Sequence, residues 1–298
     1  MEIRVLNYFL TVAREENITR ASEILYITQP TLSRQLTQLE EEVGTQLLIR
    51  GKRKVTLTEA GILLRRRAEE IMELVLKAEK ELKEQEELVS GEISIGSGEM
   101  EGTKIFPQLF KTFKEKYPKI SYELYTGNAD QIREKIDQGL LDFGLLLEPV
   151  NIEKYDFIRL NIQERWVVLM PPHDPLAQKE FVTPEDLHDS PIIIVKRASV
   201  HNELANWFGK YYDTLSIFAT HNMSNNAAVL VEKGLGYAFV LEGSVNFYDK
   251  EKILSKPLYP ELSMSSVLVW KKNQIFSHTS KKFLEHVKQF LENVEEKF

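Results

Sequence analysis

The sequence predicts an α/β chain in two parts: a small helical unit that ends in one long helix, followed by a pair of α/β lobes. Three observations carry this. Between Thr19 and Glu42, two apolar-periodic segments flank a short polar interruption, the pattern of two short helices joined by a tight turn. From about Glu59 to Leu88, an apolar seam spaced alternately by four and three residues runs through a heavily charged stretch, as in one long helix. From Glu92 onward, strand-like runs alternate with amphipathic helices, and the alternation occurs twice.

Whole-chain properties narrow the function classes. The 298 residues, 43% hydrophobic and 28% charged, allow two or three domains with proper cores. Cysteine is absent, so no disulfide, thiolate metal site or cysteine nucleophile exists, in keeping with a reducing cytosol. The N-terminal stretch lacks a basic leader, and no run approaches the roughly 18 apolar residues of a membrane span, so a cytoplasmic protein is expected. Net charge is -7, and residues 1–60 balance 8 Lys+Arg against 8 Asp+Glu. Any nucleic-acid binding must therefore rest on where the cations are placed and on doubling the site.

Taken in order, Ile3 to Arg14 carries Val5, Leu6, Phe9, Leu10, Val12 and Ala13, a helical stripe suited to pack beneath the next two helices. Ala21, Ile24 and Leu25 mark the second helix, and Leu32, Leu36 and Leu39 the third. Thr28 can cap this third helix, and Pro30 is tolerated in its first turn, where an amide would have no intrahelical partner. The period alone also fits a helical hairpin in any small bundle. The outward residues Gln29, Pro30, Thr31, Ser33, Arg34, Gln35 and Gln38 add chemistry, because Arg can grip guanine and Gln adenine in a major groove. Leu47 to Ile49 and Lys54 to Leu57 can pair around Gly51 as a two-stranded wing carrying Arg50, Lys52, Arg53 and Lys54. Four cations at one exposed turn suit phosphate contact, which orients a protein on the duplex without reading sequence.

The run AsxxLxxTQPtLSRQLxxLExxxGxxLxxRxxRxxxLTxAG, from Ala21 to Gly61, resembles the DNA-binding half of LysR-type transcriptional regulators. Departures are Ser22, Thr28, Thr31 and the Leu48-Ile49 pair, none of which removes a polar contact. The resemblance implies a winged helix-turn-helix at residues 1–58, a linker and dimerisation helix at 59–90, and an effector-binding domain at 91–298. The seam Leu64, Ala68, Ile71, Val75, Ala78 and Leu82 fits the middle role, since one narrow apolar stripe on a long charged helix is best buried against a second copy. Ion pairs such as Glu79 with Lys83 and Lys80 with Glu84 would line its outer faces, and Ser90-Gly91 would end it.

In the second part, strands are expected at Glu92 to Gly96, Ile120 to Thr126, Phe143 to Leu147 and Asp156 to Leu160, with helices at Thr103 to Tyr117 and Ala129 to Gln138. The pattern then repeats, with strands at Arg165 to Met170, Pro191 to Val195, Ser216 to Thr220 and Tyr237 to Leu241, and helices at Glu203 to Tyr211 and Asn225 to Lys233. Met264 to Trp270 is a further strand, and Ser277 to Asn293 a final helix. The resemblance implies a two-lobed periplasmic-binding-protein-like effector domain, with lobe one at 91–162 plus 267–298 and lobe two at 163–266. Crossings between the lobes are then expected near Leu160 to Trp166 and Met264 to Trp270.

Ligands in such folds sit where strands end and helices begin. The lobe-one rim is Ser97, Gly98, Glu99, Met100, Glu101, Gly102 and Thr103, with Thr126, Gly127 and Asn128 from the next strand end. The lobe-two rim is Lys196, Arg197, Ser199 and His201, with the turn Thr220, His221, Asn222, Met223 and Ser224. Helix N-termini at Thr103 and Ser199 would offer amides to an anion. Inward-pointing Glu99 and Glu101 would instead welcome a cationic group, unless Lys196 or Arg197 cancels them.

Enzyme signals are weak. Gly96, Gly98 and Gly102 form GxGxxxG, one residue longer than the dinucleotide fingerprint, and Asp137 is poorly placed as a ribose-binding acid. The six histidines show no metal spacing, and neither a P-loop nor a GxSxG elbow occurs, so neither cofactor nor metal is expected. The expected function is effector-controlled, sequence-specific binding of double-stranded DNA at an interrupted palindrome by a homodimer or homotetramer, with RNA polymerase as a candidate further partner. The competing reading is a two-lobe solute-binding protein or enzyme without regulatory DNA binding.

Overall fold

The computed structural model describes residues 1–51, 54–83, 89–196 and 198–295. Its contacts fall into two units, Met1–Lys83 and Glu84–Phe298. In the first, the helices are α1 (Ile3–Glu15), α2 (Ile18–Ile24), α3 (Gln29–Val43) and α4 (Glu59–Lys83), and the strands are β1 (Leu48–Arg50) and β2 (Val55–Leu57). Phe9, Ala21, Leu32, Leu36, Leu39 and Leu48 form the heart of one apolar cluster. The stripes of α1 and α3 thus meet as their 3.6-residue period requires.

Local signals set the element ends. The Thr28 hydroxyl accepts from the Thr31 amide at 3.4 Å at the start of α3, Pro30 lies in its first turn, and Gly44 ends it with a φ of 70°. That left-handed conformation is easy for glycine alone. Ile24 departs from the expected stripe: it is 43% exposed, and the short α2 buries only Ala21 and Ser22. β1 and β2 pair antiparallel, Leu48 opposite Leu57, one residue later than expected on the first strand. The Thr58 hydroxyl caps α4 by accepting from the Gly61 amide at 3.0 Å. A Cβ on Gly61 would lie 2.1 Å from the Leu47 carbonyl oxygen, so only glycine lets α4 start against the wing.

The long helix differs from expectation in its seam. Leu64 joins the unit's apolar cluster, and Ala68 is buried, while α1 packs along α4. Ile71 and Val75 are half-buried, and Ala78 and Leu82 are exposed. The first part of the heptad therefore serves this chain's own core, and solvent-facing apolar area comes instead from Ile62, Leu63, Leu74, Leu76 and Leu82. The expected continuation through 84–88 lies outside the described residues.

The second unit contains β3 (Gly91–Ser97), α5 (Phe106–Lys116), β4 (Ile120–Thr126), α6 (Ala129–Asp137), β5 (Phe143–Leu147), β6 (Tyr155–Met170), α7 (Pro184–Leu187) and β7 (Pro191–Val195). It continues with α8 (Ala198–Phe208), β8 (Ser216–His221), α9 (Ser224–Glu232), β9 (Tyr237–Leu241), β10 (Leu254–Pro257), β11 (Ser263–Lys271) and α10 (His278–Glu295). The strand order is β4-β3-β5-β11-β6-β9-β7-β8, with β10 paired to β6. β3 pairs parallel to β4 and β5, and β7 parallel to β8 and β9, whereas β6 and β11 run antiparallel to their neighbours.

The two strands expected at Asp156 to Leu160 and Arg165 to Met170 are one 16-residue strand, β6. Its first part, through Arg165, pairs with β11, and its last residues pair with β9 and β10, so it runs through both lobes. The polar interval between the two runs is a local irregularity, with Asn161 at a φ of 56° and a register shift between Ser265 and Val267. β10, which contains Ser255, Lys256 and Pro257, carries no apolar alternation and was not legible as a strand. Phe106, Phe113, Phe143, Leu268 and Phe283 belong to one core, and Ile132, Ile136 and Leu146 to a second. Val168, Ile192, Phe208 and Phe239 form a third, and Val167, Ile193, Ala228 and Val240 a fourth. Each half of the sheet is thus covered on both faces, as parallel strands require.

Candidate functional sites

The first candidate site is the N-terminal half of α3. Gln29, Pro30, Thr31, Arg34 and Gln38 are exposed, and Ser33 and Gln35 are half-buried at the edge of the same surface. The wing is held to this helix by a carboxylate that sequence reasoning missed. Glu40 Oε1 accepts from the Leu47 and Leu48 amides at 2.8 and 2.9 Å, and Oε2 lies 3.4 Å from Arg50. Arg50 donates further to Ser33 Oγ at 2.9 Å and Thr37 Oγ1 at 2.8 Å. Rather than standing at the wing tip, Arg50 is therefore committed to α3. Lys54 is likewise paired with Glu16 at 3.1 Å. Lys52 and Arg53 lie outside the described residues. A signal for Glu40 was present in the sequence: three successive acids near a helix C-terminus oppose the macrodipole unless a partner draws them elsewhere.

The second candidate site is a cleft of about 130 Å³ between the two halves of the sheet. Of the expected rim, Gly98, Glu99, Met100, Asn128 and Asn222 line it, as do Gly127, His221, Met223 and Ser224. Ser97, Glu101, Thr103, Thr126 and Lys196 are not among its lining residues. Glu101 instead pairs with Lys104, Thr103 donates to the Met100 carbonyl at 2.7 Å, and Thr126 and Lys196 are exposed. Arg197 and the side chains of Ser199 and His201 lie outside the described residues. Sequence reasoning missed the floor, made of Ile132, Leu145, Leu146, Trp166, Val240 and Leu241, because periodicity marks such residues only as core.

At two of the element starts around the cleft the amides are already served by the protein. No α-helix begins at Thr103: residues Glu101–Ile105 form a 3-10 turn, and α5 starts at Phe106. The amides of Glu101 and Gly102 donate to the two carboxylate oxygens of Glu164, at 2.7 and 2.5 Å, and Ser266 donates to the same group at 2.6 Å. Glu164 on β6 is wholly buried, and it ties the lobe-one loop to both crossing strands. At α6, Asn128 and Gln131 form a reciprocal capping box. At α9, Met223 gives no side-chain cap, and Glu99 from the other lobe accepts from Ser224 and, at 3.1 Å, from Asn225.

Two buried polar groups of the lining stand apart. The Trp166 indole nitrogen finds no partner in the protein, and the His221 ring meets only the backbone of Phe239 and Met223, without good hydrogen-bond geometry. Burial lowers the His221 pKa below the ordinary imidazole value, against the raising influence of the nearby Phe239 and Met223 backbone and of Glu99, which favours the neutral ring. Among the described residues, no group of three or more His, Asp or Glu side chains could hold a metal ion, and no helix is long and apolar enough to cross a membrane.

Comparison with known proteins places this architecture. The family described as "LysR substrate binding domain" matches residues 86–292, and "Bacterial regulatory helix-turn-helix protein, lysR family" matches residues 3–62. The Uncharacterized HTH-type transcriptional regulator YwbI of Bacillus subtilis (strain 168) is 30% identical over 293 residues, covering 98% of this chain and 97% of its own. The Hca operon transcriptional activator HcaR of Escherichia coli (strain K12) is 31% identical over 283 residues, covering 92% and 93%. The solved structure of full-length CbnR complexed with its target DNA superposes with a TM-score of 0.73 at 20% identity, covering 97% of this chain and 99% of that one, a likeness of fold. With both halves matched and full-length relatives at this identity, the chain belongs to the LysR family of transcriptional regulators, DNA-binding proteins that carry an effector-binding domain.

Proposed function

We propose that α3 enters the major groove and reads base edges through Gln29, Thr31, Ser33, Arg34, Gln35 and Gln38, while the wing meets phosphates through Lys52 and Arg53. The observation that carries this reading is the exposed, cation-bearing start of α3, with the wing fixed beside it by Glu40 and Arg50. Pro30 sets the start of the helix, and Lys54, just before β2, flanks the contact surface. That CbnR, a protein of similar fold, has been solved with its target DNA is in keeping with DNA binding here.

Regulation arises from doubling and sensing. Two copies joined through α4 place two recognition helices on an interrupted palindrome, and four copies allow a longer site. Residues 1–58 bind DNA, 59–90 link and pair the copies, and 91–298 sense the effector, with lobes 91–162 plus 267–298 and 163–266 closing on it. Binding in the cleft changes lobe closure and the spacing of the DNA-binding heads, and so access for RNA polymerase in the cytoplasm. A mobility shift of the full chain with DNA from upstream of its own gene, in excess random competitor, tests the reading. A retained shift is expected, and complete competition by random DNA would contradict it.

A further inference from the structure

The chemistry of the cleft narrows what it takes; this step rests on the effector-sensing reading above. We propose that the ligand is a small uncharged molecule with a ring-sized apolar body and one hydrogen-bonding head, and that Glu99 keeps carboxylates out. Size and lining give the body. The cleft has a volume of about 130 Å³ and walls that include Ile132, Leu145, Leu147, Val240 and Leu241. An apolar cavity of about 150 Å³ takes up a benzene-sized ring.

The Trp166 and His221 rings give the head. Trp166 and His221 both line the cleft, and they are 3% and 7% exposed, respectively. An indole in this lobe need not be idle, since Trp207 donates to the Pro260 carbonyl at 2.7 Å. Trp166 offers one donor, and a neutral imidazole offers one donor and one acceptor. A carboxamide, with a carbonyl to accept and an N–H to donate, matches that set.

The helix N-termini give the charge. An anion at such a cleft is ordinarily held by open amides at a helix start. Here the amides of Glu101 and Gly102 are taken by Glu164, α6 is closed by its own capping box, and the start of α9 faces Glu99. Glu99 thus keeps a carboxylate at the lobe-two rim, its oxygens occupied by the Ser224 and Asn225 side chains, and that charge repels a ligand carboxylate.

Calorimetric titration of the full chain with benzamide, benzoate and benzylamine tests this. Benzamide is expected to bind, with benzoate weaker by at least about tenfold, well within the repulsion of two like charges a few ångströms apart. Glu99→Gln should tighten benzoate by about the same factor and leave benzamide within about twofold. Trp166→Phe should weaken benzamide about fivefold or more without a matching loss of thermal stability. Benzoate or benzylamine binding more tightly than benzamide overturns the proposal, as does the failure of all three to bind. The promoter mobility shift, run beside it, separates the failures. If a specific shift responds to benzoate, sensing stands and the ligand class falls. If DNA binding is non-specific, the regulator reading falls, whatever the calorimetry gives.

Discussion

Glu40 in the DNA-binding unit and Glu99 in the effector domain each join two separate elements, Glu40 across a few residues and Glu99 across more than a hundred, and they do so with different donors. Glu40 accepts from two backbone amides of the wing and lies beside Arg50, so the wing and α3 are fixed as one surface. Glu99 reaches across the cleft only to the side chains of Ser224 and Asn225. Backbone donors are placed by the fold, whereas side-chain donors can rotate away at the cost of a rotamer change. The wing and α3 are therefore fixed in advance, whereas Glu99 makes a bridge between the lobes that can open. Glu164, in the same domain, is the opposite case. Glu164 is buried, and it holds backbone amides of the 101–102 turn against β6 and β11.

The contrast can be broken first at Glu164. Glu164→Ala leaves two amides and a hydroxyl unpaired in the interior, and is expected to cost about 3 kcal/mol. Thermal unfolding of the full chain would read this as a fall of several degrees in the effector-domain transition; an unchanged transition would mean that the loop is held by other contacts. Glu40→Ala comes next, with a loss of about 2 kcal/mol from the N-terminal unit and weaker binding to specific DNA, measured by unfolding and mobility shift together. If stability falls and DNA affinity does not, the wing need not be fixed for recognition.

His221 provides a test by pH. Its native pKa lies below the unfolded value of 6.5, so the unfolded chain binds more protons as pH falls through 6.5. The stability tied to the neutral ring is thus present above that pH and lost below it. His221→Gln should flatten the fall in melting temperature between pH 7 and pH 5.5, and an identical fall in both proteins would contradict the assignment. The smallest change in stability is expected for Glu99→Gln, under about 1 kcal/mol, because its partners can turn to water. A loss comparable to that of Glu164→Ala would make Glu99 a structural strut and remove the contrast.

The two parts of the chain were not equally legible in sequence. Thr28, Pro30 and Gly44 punctuate α3 by purely local rules, so its limits and its exposed face could be read directly. The cleft rim was partly legible, since Glu99, Asn128 and Asn222 come just after strand ends. Trp166 and Leu145 were not, because a residue that lines a cavity and one that fills a core show the same periodicity. Glu164 was hidden for a related reason: its partners lie 62 residues before it and 102 after it, and only the crossing of β6 and β11 brings them together. The roles of Arg50 and Leu64 shifted because composition marks a cation or an apolar seam without saying whether its partner is DNA, another copy or the same chain.

Base reading by α3 is tested most directly by comparing Arg34→Ala with the unaltered chain on the native operator and on random DNA, at fixed salt. Loss of one base contact should weaken operator binding by about 1–3 kcal/mol and leave random DNA far less affected. Equal losses on both would show that Arg34 meets the phosphate backbone, and would contradict the assignment of α3 as the helix that reads the site.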